Sequence, residues 1–148
     1  MYLLDTNVLS ELRTGKPQPS RQVLDWASSV PLGAQYVSVI AWMELDIGIL
    51  RLERRTPPQG QALRAWLSGV RGLFVGGRTL AIDDAVVQCC ARLHVPNPAP
   101  PHDALIAATA LVHGLTLVTR NSADFASMGV KLLNPWDFFP TIGCPSGQ

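Results

Sequence analysis

Four acidic residues, Asp5, Glu44, Asp103 and Asp124, fall where apolar or rigid segments give way to polar chain. Asp5 ends the run Met1-Tyr2-Leu3-Leu4, and Asp124 follows Leu115-Thr116-Leu117-Val118 and the polar Thr119-Arg120-Asn121. Glu44 comes soon after Ser38, and Asp103 directly after the proline-rich stretch 96–101. If all four met at one edge of the molecule, each like-charge pair about 4 Å apart would cost on the order of 4 kcal/mol at an effective dielectric near 20. Such a group needs protons or a cation. Oxygen ligands without a supporting His or Cys suit Mg²⁺ or Mn²⁺ rather than zinc, and Mg²⁺ held by a few carboxylates keeps waters that can attack a phosphate. A second reading of the first acidic residue stays open on that stretch alone, because Asp5 or Thr6 could simply cap the helix begun by Val8-Leu9-Ser10-Glu11-Leu12-Arg13.

Whether the four meet depends on the elements that carry them. The opening run is apolar without alternation, which suits a central strand covered on both faces. Further strands are expected at 35–37, 79–82, 115–118 and 130–133. Between them, helical spacing predicts helices from Ser20 to Val30, from Ser38 to Arg55, over 59–71 and from Asp83 to Leu93, with another from His102-Asp103 to a stop at Gly114. Pro57-Pro58 ends the second of these, and Trp66 reads as core. Asp124-Phe125 is expected in the turn after the fourth strand. Strands alternating with helices predict an α/β fold, three layers deep, with a central, mostly parallel sheet of about five strands. In such a sheet the strand carboxyl ends and the amino ends of the following helices share one edge. Asp5 and Asp124 follow strand ends, and Glu44 and Asp103 are expected in first helical turns, so one edge would collect all four.

With 148 residues, 47% of them hydrophobic, and no internal repeat or linker, the chain reads as one domain over 1–140 with a loosely held tail at 141–148. Ten of its twelve basic residues are Arg, whose planar fork suits phosphate. Cys89, Cys90 and Cys144 form neither a disulfide framework nor a C-x-x-C pair. No leader pattern and no membrane-spanning run is legible, so a cytoplasmic protein is expected.

Four segments carry a resemblance to a known family: Leu4-Asp5-Thr6-Asn7-Val8-Leu9-Ser10-Glu11; Ser38 through Glu44-Leu45 to Gly48; Asp103-Ala104-Leu105-Ile106-Ala107-Ala108-Thr109-Ala110; and Thr119-Arg120-Asn121-Ser122-Ala123-Asp124-Phe125. In this order they resemble the PIN-domain ribonucleases, and within them the VapC toxins and the related FitB and plasmid-stability proteins of bacteria. The resemblance implies a PIN-like fold and an acidic metal-binding quartet of Asp5, Glu44, Asp103 and Asp124. It casts Thr119 and Asn121 as supporting polar residues and Asn7 as the amide that orders the first carboxylate. It also implies Mg²⁺- or Mn²⁺-dependent hydrolysis of RNA (tRNA, rRNA or mRNA), a small VapB- or FitA-like antitoxin, and a homodimer. The bulky pair Trp42-Met43 and the tail after Phe139 depart from the family pattern.

The remaining polar residues have plainer readings. Glu11 belongs to the resembled motif but is expected away from the site, Asp46 is expected in solvent, and Asp83 and Asp84 at a helix start. His94 and His113 are expected to be idle at helix ends and His102 to act locally. Arg51, Arg54 and Arg55, and Arg120 beside the last acidic segment, are candidate RNA contacts, although Arg51, Arg54 and Arg55 also suit a solvated helix end. A haloacid-dehalogenase-type phosphatase would share a strand ending in Asp-Thr, but it needs a second aspartate where this chain has Asn7. A catalytically silent PIN-fold binding module is the rival of another class, and it gains nothing from four mutually repelling carboxylates.

Overall fold

The computed structural model describes residues 1–140. The tail at 141–148, with Cys144, lies outside the described residues. Five strands form one sheet: β1 (Tyr2–Leu4), β2 (Gln35–Ser38), β3 (Thr79–Leu80), β4 (Thr116–Val118) and β5 (Leu132–Leu133). Their order is β3-β2-β1-β4-β5, and every neighbouring pair is parallel. The sheet is therefore wholly parallel. β1 is central, with Leu3 opposite Tyr36 on one side and Leu117 on the other. The chain builds outward from β1 through β2 to β3, then returns to the other side of β1 as β4. That reversal lies between β1 and β4, the place where open parallel sheets bind ligands beyond their carboxyl ends.

Leu3 and Leu4 explain the unalternating apolar run. Both are fully buried, in different apolar clusters. Leu4 packs with Val8, Val23, Trp26, Val37 and Trp42 on one face of the sheet, whereas Leu3 packs with Ile106, Ala107, Leu117 and Phe125 on the other. Successive strand side chains point to opposite faces, so a strand covered on both needs apolar residues throughout.

The helices are α1 (Thr6–Glu11), α2 (Arg21–Ser29), α3 (Val39–Arg55), α4 (Pro57–Arg71), α5 (Asp84–Leu93), α6 (Pro101–His113) and α7 (Ser122–Phe125). Ser20, Ser38 and Asp83 cap α2, α3 and α5 through their side chains, and Gly114 closes α6 in the left-handed conformation that glycine adopts freely. Three boundaries differ from expectation. α1 begins at Thr6, because Asp5 is its cap. α4 begins at Pro57, since a proline in the first turn lacks only an N–H that has no helical partner anyway. Asp124 lies on the short α7 rather than in a turn.

α3 and α4 form a tight antiparallel hairpin. A Cβ placed on Gly60 would lie 2.5 Å from the Glu53 Cγ and 2.6 Å from its Cα, so only glycine fits there. Arg64 on α4 binds Asp46 and Glu53 on α3. Asp46 is thus an ion-pair partner, not the solvated carboxylate expected from its position opposite Glu44. Among the described residues no helix is long and apolar enough to cross a membrane.

Candidate active site

Asp5 follows the last residue of β1 and is fixed from three directions. Its Oδ1 accepts the Thr6 amide at 2.8 Å, capping α1. Its Oδ2 accepts the Thr119 hydroxyl at 2.7 Å and the Asn7 side-chain amide at 3.4 Å. Thr119 follows β4, the strand beside β1, and is fully buried. Its oxygen in turn accepts the Asn121 amide at 3.0 Å, while the Asn7 carbonyl accepts the Arg120 amide at 3.2 Å. Asn7 and Thr119 therefore both donate to the Asp5 carboxylate, and Asn7 also donates to Thr119 at 3.4 Å. Asn121 contributes its backbone amide, and its side chain is exposed. Capping α1 does not take Asp5 away from the edge where β1 and β4 end, so the two readings set as alternatives in the sequence do not exclude each other.

Glu44 lies in the second turn of α3, not the first as expected, because that helix begins at Val39. The extra turn carries its carboxylate toward α1. There Glu44 Oε1 and Thr6 Oγ1 are buried and make no well-formed hydrogen bond among the described residues, although the Thr6 hydroxyl is near enough to lower the pKa of Glu44. Asp103, in the first turn of α6, and Asp124, exposed in the first turn of α7, complete the group. Their mutual influence shows in the acidities. Burial raises the pKa of Asp5 above the ordinary carboxylate value, against the lowering effect of Thr119 and the Thr6 amide. Burial first, and then the charges of Asp5 and Asp103, raise Glu44, with His102 opposing. Asp103 is raised by burial and by the charges of Asp5 and Asp124, again opposed by His102. Asp5 thus acts on both Glu44 and Asp103, Asp103 acts on Glu44, and Asp124 acts on Asp103.

As they stand, no three His, Cys, Asp or Glu side chains among the described residues close around a common point. The donor set nevertheless fits a hard divalent ion, being all oxygen and anionic and including one buried carboxylate oxygen with nothing to bind.

Other residues fall elsewhere. Arg51, Arg54 and Arg55 are exposed at the far end of α3 and together line a shallow hollow. Seven residues separate Glu44 from Arg51, about 10 Å along the helix axis. Arg120 is beside the site, its guanidinium 5.1 Å above the Trp136 ring. Glu11 is buried away from the carboxylates, accepting the Ser20 amide at 2.7 Å and pairing with Lys16 at 3.1 Å. His94 is not idle, since its Nδ1 accepts the Ala99 amide at 3.2 Å. His102, exposed beside Asp103, acts on both Glu44 and Asp103 through its charge.

A wholly parallel sheet with carboxylates gathered where β1 and β4 end describes one class of protein, and the chain belongs to it: the PIN-domain family, whose model matches residues 2–131. Within that family it is 36% identical over 142 residues to "Toxin FitB" of Neisseria gonorrhoeae, covering 92% of this chain and 99% of that protein. It is 34% identical over 148 residues to "VapC ribonuclease Y4jK" of Sinorhizobium fredii, covering 93% and 99%. The crystal structure of FitAcB from Neisseria gonorrhoeae superposes with a TM-score of 0.83 at 33% identity, covering 93% of this chain and all of that one.

Proposed function

We propose that this chain is a ribonuclease toxin that hydrolyses RNA phosphodiester bonds with Mg²⁺ or Mn²⁺, the ion held by Asp5, Asp103 and Asp124 and by Glu44 directly or through water. The observation that carries the reading is the unpartnered, buried Glu44 Oε1 within the field of Asp5 and Asp103. The bound ion would supply an activated water and offset charge on the phosphoryl oxygens. The chain's own part is orientation: Thr119 and Asn7 hold the Asp5 carboxylate, and the Thr119 hydroxyl and Thr6 amide lower its pKa against the larger raising effect of burial. Arg120, beside the carboxylates, is placed to hold a flanking phosphate. Arg51, Arg54 and Arg55 would meet RNA only further along the strand. Purified protein with Mg²⁺, Mn²⁺ or chelator, offered tRNA, rRNA and mRNA, should give discrete fragments that chelator and Asp103→Asn both abolish. Cleavage surviving chelation would overturn the proposal.

A nuclease acting on its own cell's RNA needs restraint, and relatives named FitB and VapC, with solved structures such as FitAcB, support a VapB- or FitA-like antitoxin partner; a cytoplasmic setting belongs to the same proposal. A homodimer belongs to the same proposal. Met43 and Leu50 are exposed, and Val39 and Ile47 lie along the same side of α3, an apolar stripe suited to a second copy. The solution mass of the chain alone and with its antitoxin tests both points.

A further inference from the structure

We propose, building on the ribonuclease reading, that the hollow between α1, α3 and α4 is a nucleotide subsite. It would seat one unpaired nucleotide beside the cut phosphate, Trp66 stacking on the base and Arg13 holding the phosphate. The hollow has a volume of about 410 Å³, within the range of small-molecule sites. It reaches the site through Glu44, which with Thr6 forms part of its wall. Arg13 and Lys16 form another part. Lys16 is already paired with Glu11 at 3.1 Å, whereas Arg13 is half-exposed and makes no ion pair among the described residues. An unpaired guanidinium close to an anionic cluster is poorly explained by the fold and well explained by a phosphate.

Trp66 supplies the other half. Trp26 is packed edge-on against Tyr2, Trp42 against Phe74 and under Arg71, and Trp136 lies under Arg120. Trp66 has no aromatic or cationic partner among the described residues, is only half-buried, and stands where three hollows meet. An indole left open beside a cation is the combination that binds unpaired nucleotides with little regard to base identity. Opposite it, Gly48 on α3 leaves room: a Cβ there would meet nothing within 4 Å. A protein segment would be served by an apolar lining alone, whereas Arg13, Lys16 and Glu44 give this hollow the charges that a phosphate next to a metal site requires.

The test is steady-state cleavage of a labelled, mixed-sequence RNA about 12 nucleotides long, with Mn²⁺, by wild type, Arg13→Gln, Trp66→Phe, Trp66→Ala and Gly48→Leu, each with its map of cut sites. Gly48→Leu plugs the hollow from a helix interior, where losing a glycine favours folding, so it separates blockage from misfolding. Trp66→Ala, Arg13→Gln and Gly48→Leu should each raise KM by about tenfold or more with kcat changed far less. Trp66→Phe should retain most of the affinity, and the cut-site map should shift in Gly48→Leu. A wild type that cuts RNA, with Arg13→Gln and Gly48→Leu indistinguishable from it in KM and in cut sites, overturns the subsite alone. The same result with those variants escaping inhibition by the antitoxin would assign the hollow to the protein partner instead. A wild type that cuts no RNA overturns the ribonuclease reading, and the subsite with it.

Discussion

Replacing Asp103 by Asn should make the metal-free protein more stable while abolishing its activity. Among the described residues Asp103 makes no side-chain hydrogen bond that the substitution would break, and its pKa is raised by burial and by the charges of Asp5 and Asp124. A like pair about 4 Å apart costs about 1 kcal/mol in water and about 4 at an effective dielectric of 20. Asp103 is half-buried and does not close around a common point with its two neighbours, so the gross repulsion is less than two such contacts, roughly 2–4 kcal/mol. Screening, partial protonation and the loss of a favourable charge in the first turn of α6, worth about 0.3–1 kcal/mol, reduce it. A net gain of about 1–2 kcal/mol remains, or about 3–6 °C in Tm for a domain of this size. The pH dependence gives the sign independently. A carboxyl whose folded pKa is raised leaves stability intact below its unfolded value of 3.8 and removes it as pH climbs through the folded pKa. In chelator, wild type and Asp103→Asn should therefore converge near pH 4 and separate toward pH 7, the variant melting higher. Millimolar Mg²⁺ or Mn²⁺ should raise the wild-type Tm and leave the variant nearly unmoved. Thermal unfolding followed by circular dichroism reads all of this. A variant less stable than wild type at pH 7 in chelator, or one that responds equally to metal, would refute the shared-ion argument.

Other perturbations have equally definite outcomes. Thr119→Val removes the hydroxyl that donates to Asp5 and accepts from Asn121, so urea unfolding should show a loss of about 1–3 kcal/mol, together with reduced cleavage. Gly60→Ala forces a methyl into the Glu53 backbone and should cost about 1–3 kcal/mol in the same assay, although alanine is the better helix former. Neutralising Arg51, Arg54 and Arg55 together should, if they contact single-stranded RNA, lower the slope of log affinity against log salt by up to about 2. An unchanged slope returns them to a solvated helix end.

Local chemistry made much of this legible beforehand. The caps at Ser20, Ser38 and Asp83 and the stop at Gly114 follow from residue type, and the apolar run at residues 1–4 demands a strand covered on both faces. Long-range relations were not legible. Asp46 reads as solvated until α4 folds back and brings Arg64 against it. The burial of Glu11 depends on a loop returning the Ser20 amide to its carboxylate. Trp66 shares helical spacing with Leu63, Leu67 and Val70, but spacing says which face of α4 it occupies and not what covers that face. Leu67 is buried there and Trp66 is left half-open. Glu44 is six residues past the Ser38 cap, so its place in the second turn of α3 follows from the helix start, and only its approach to Thr6 and Asp5 depends on the fold.

The most consequential of these relations concerns Asp5. From sequence, Asp5 and Asp103 are equivalent members of one acidic group, and neutralising either should relieve the same repulsion. In the folded chain they are not equivalent. Asp5 caps α1 through one oxygen and receives Thr119 and Asn7 through the other, whereas Asp103 has charged neighbours and no donors of its own. Asn at position 5 keeps one acceptor oxygen and turns an NH₂ toward Thr119, whose oxygen already accepts from Asn7 and Asn121. The lost charge-assisted bonds offset the relieved repulsion, so Asp5→Asn should be no more stable than wild type in chelator even though it too should be inactive. The residue most central to the proposed chemistry is thus the poorest reporter of the site's electrostatics, because the same carboxylate joins β1, α1 and β4.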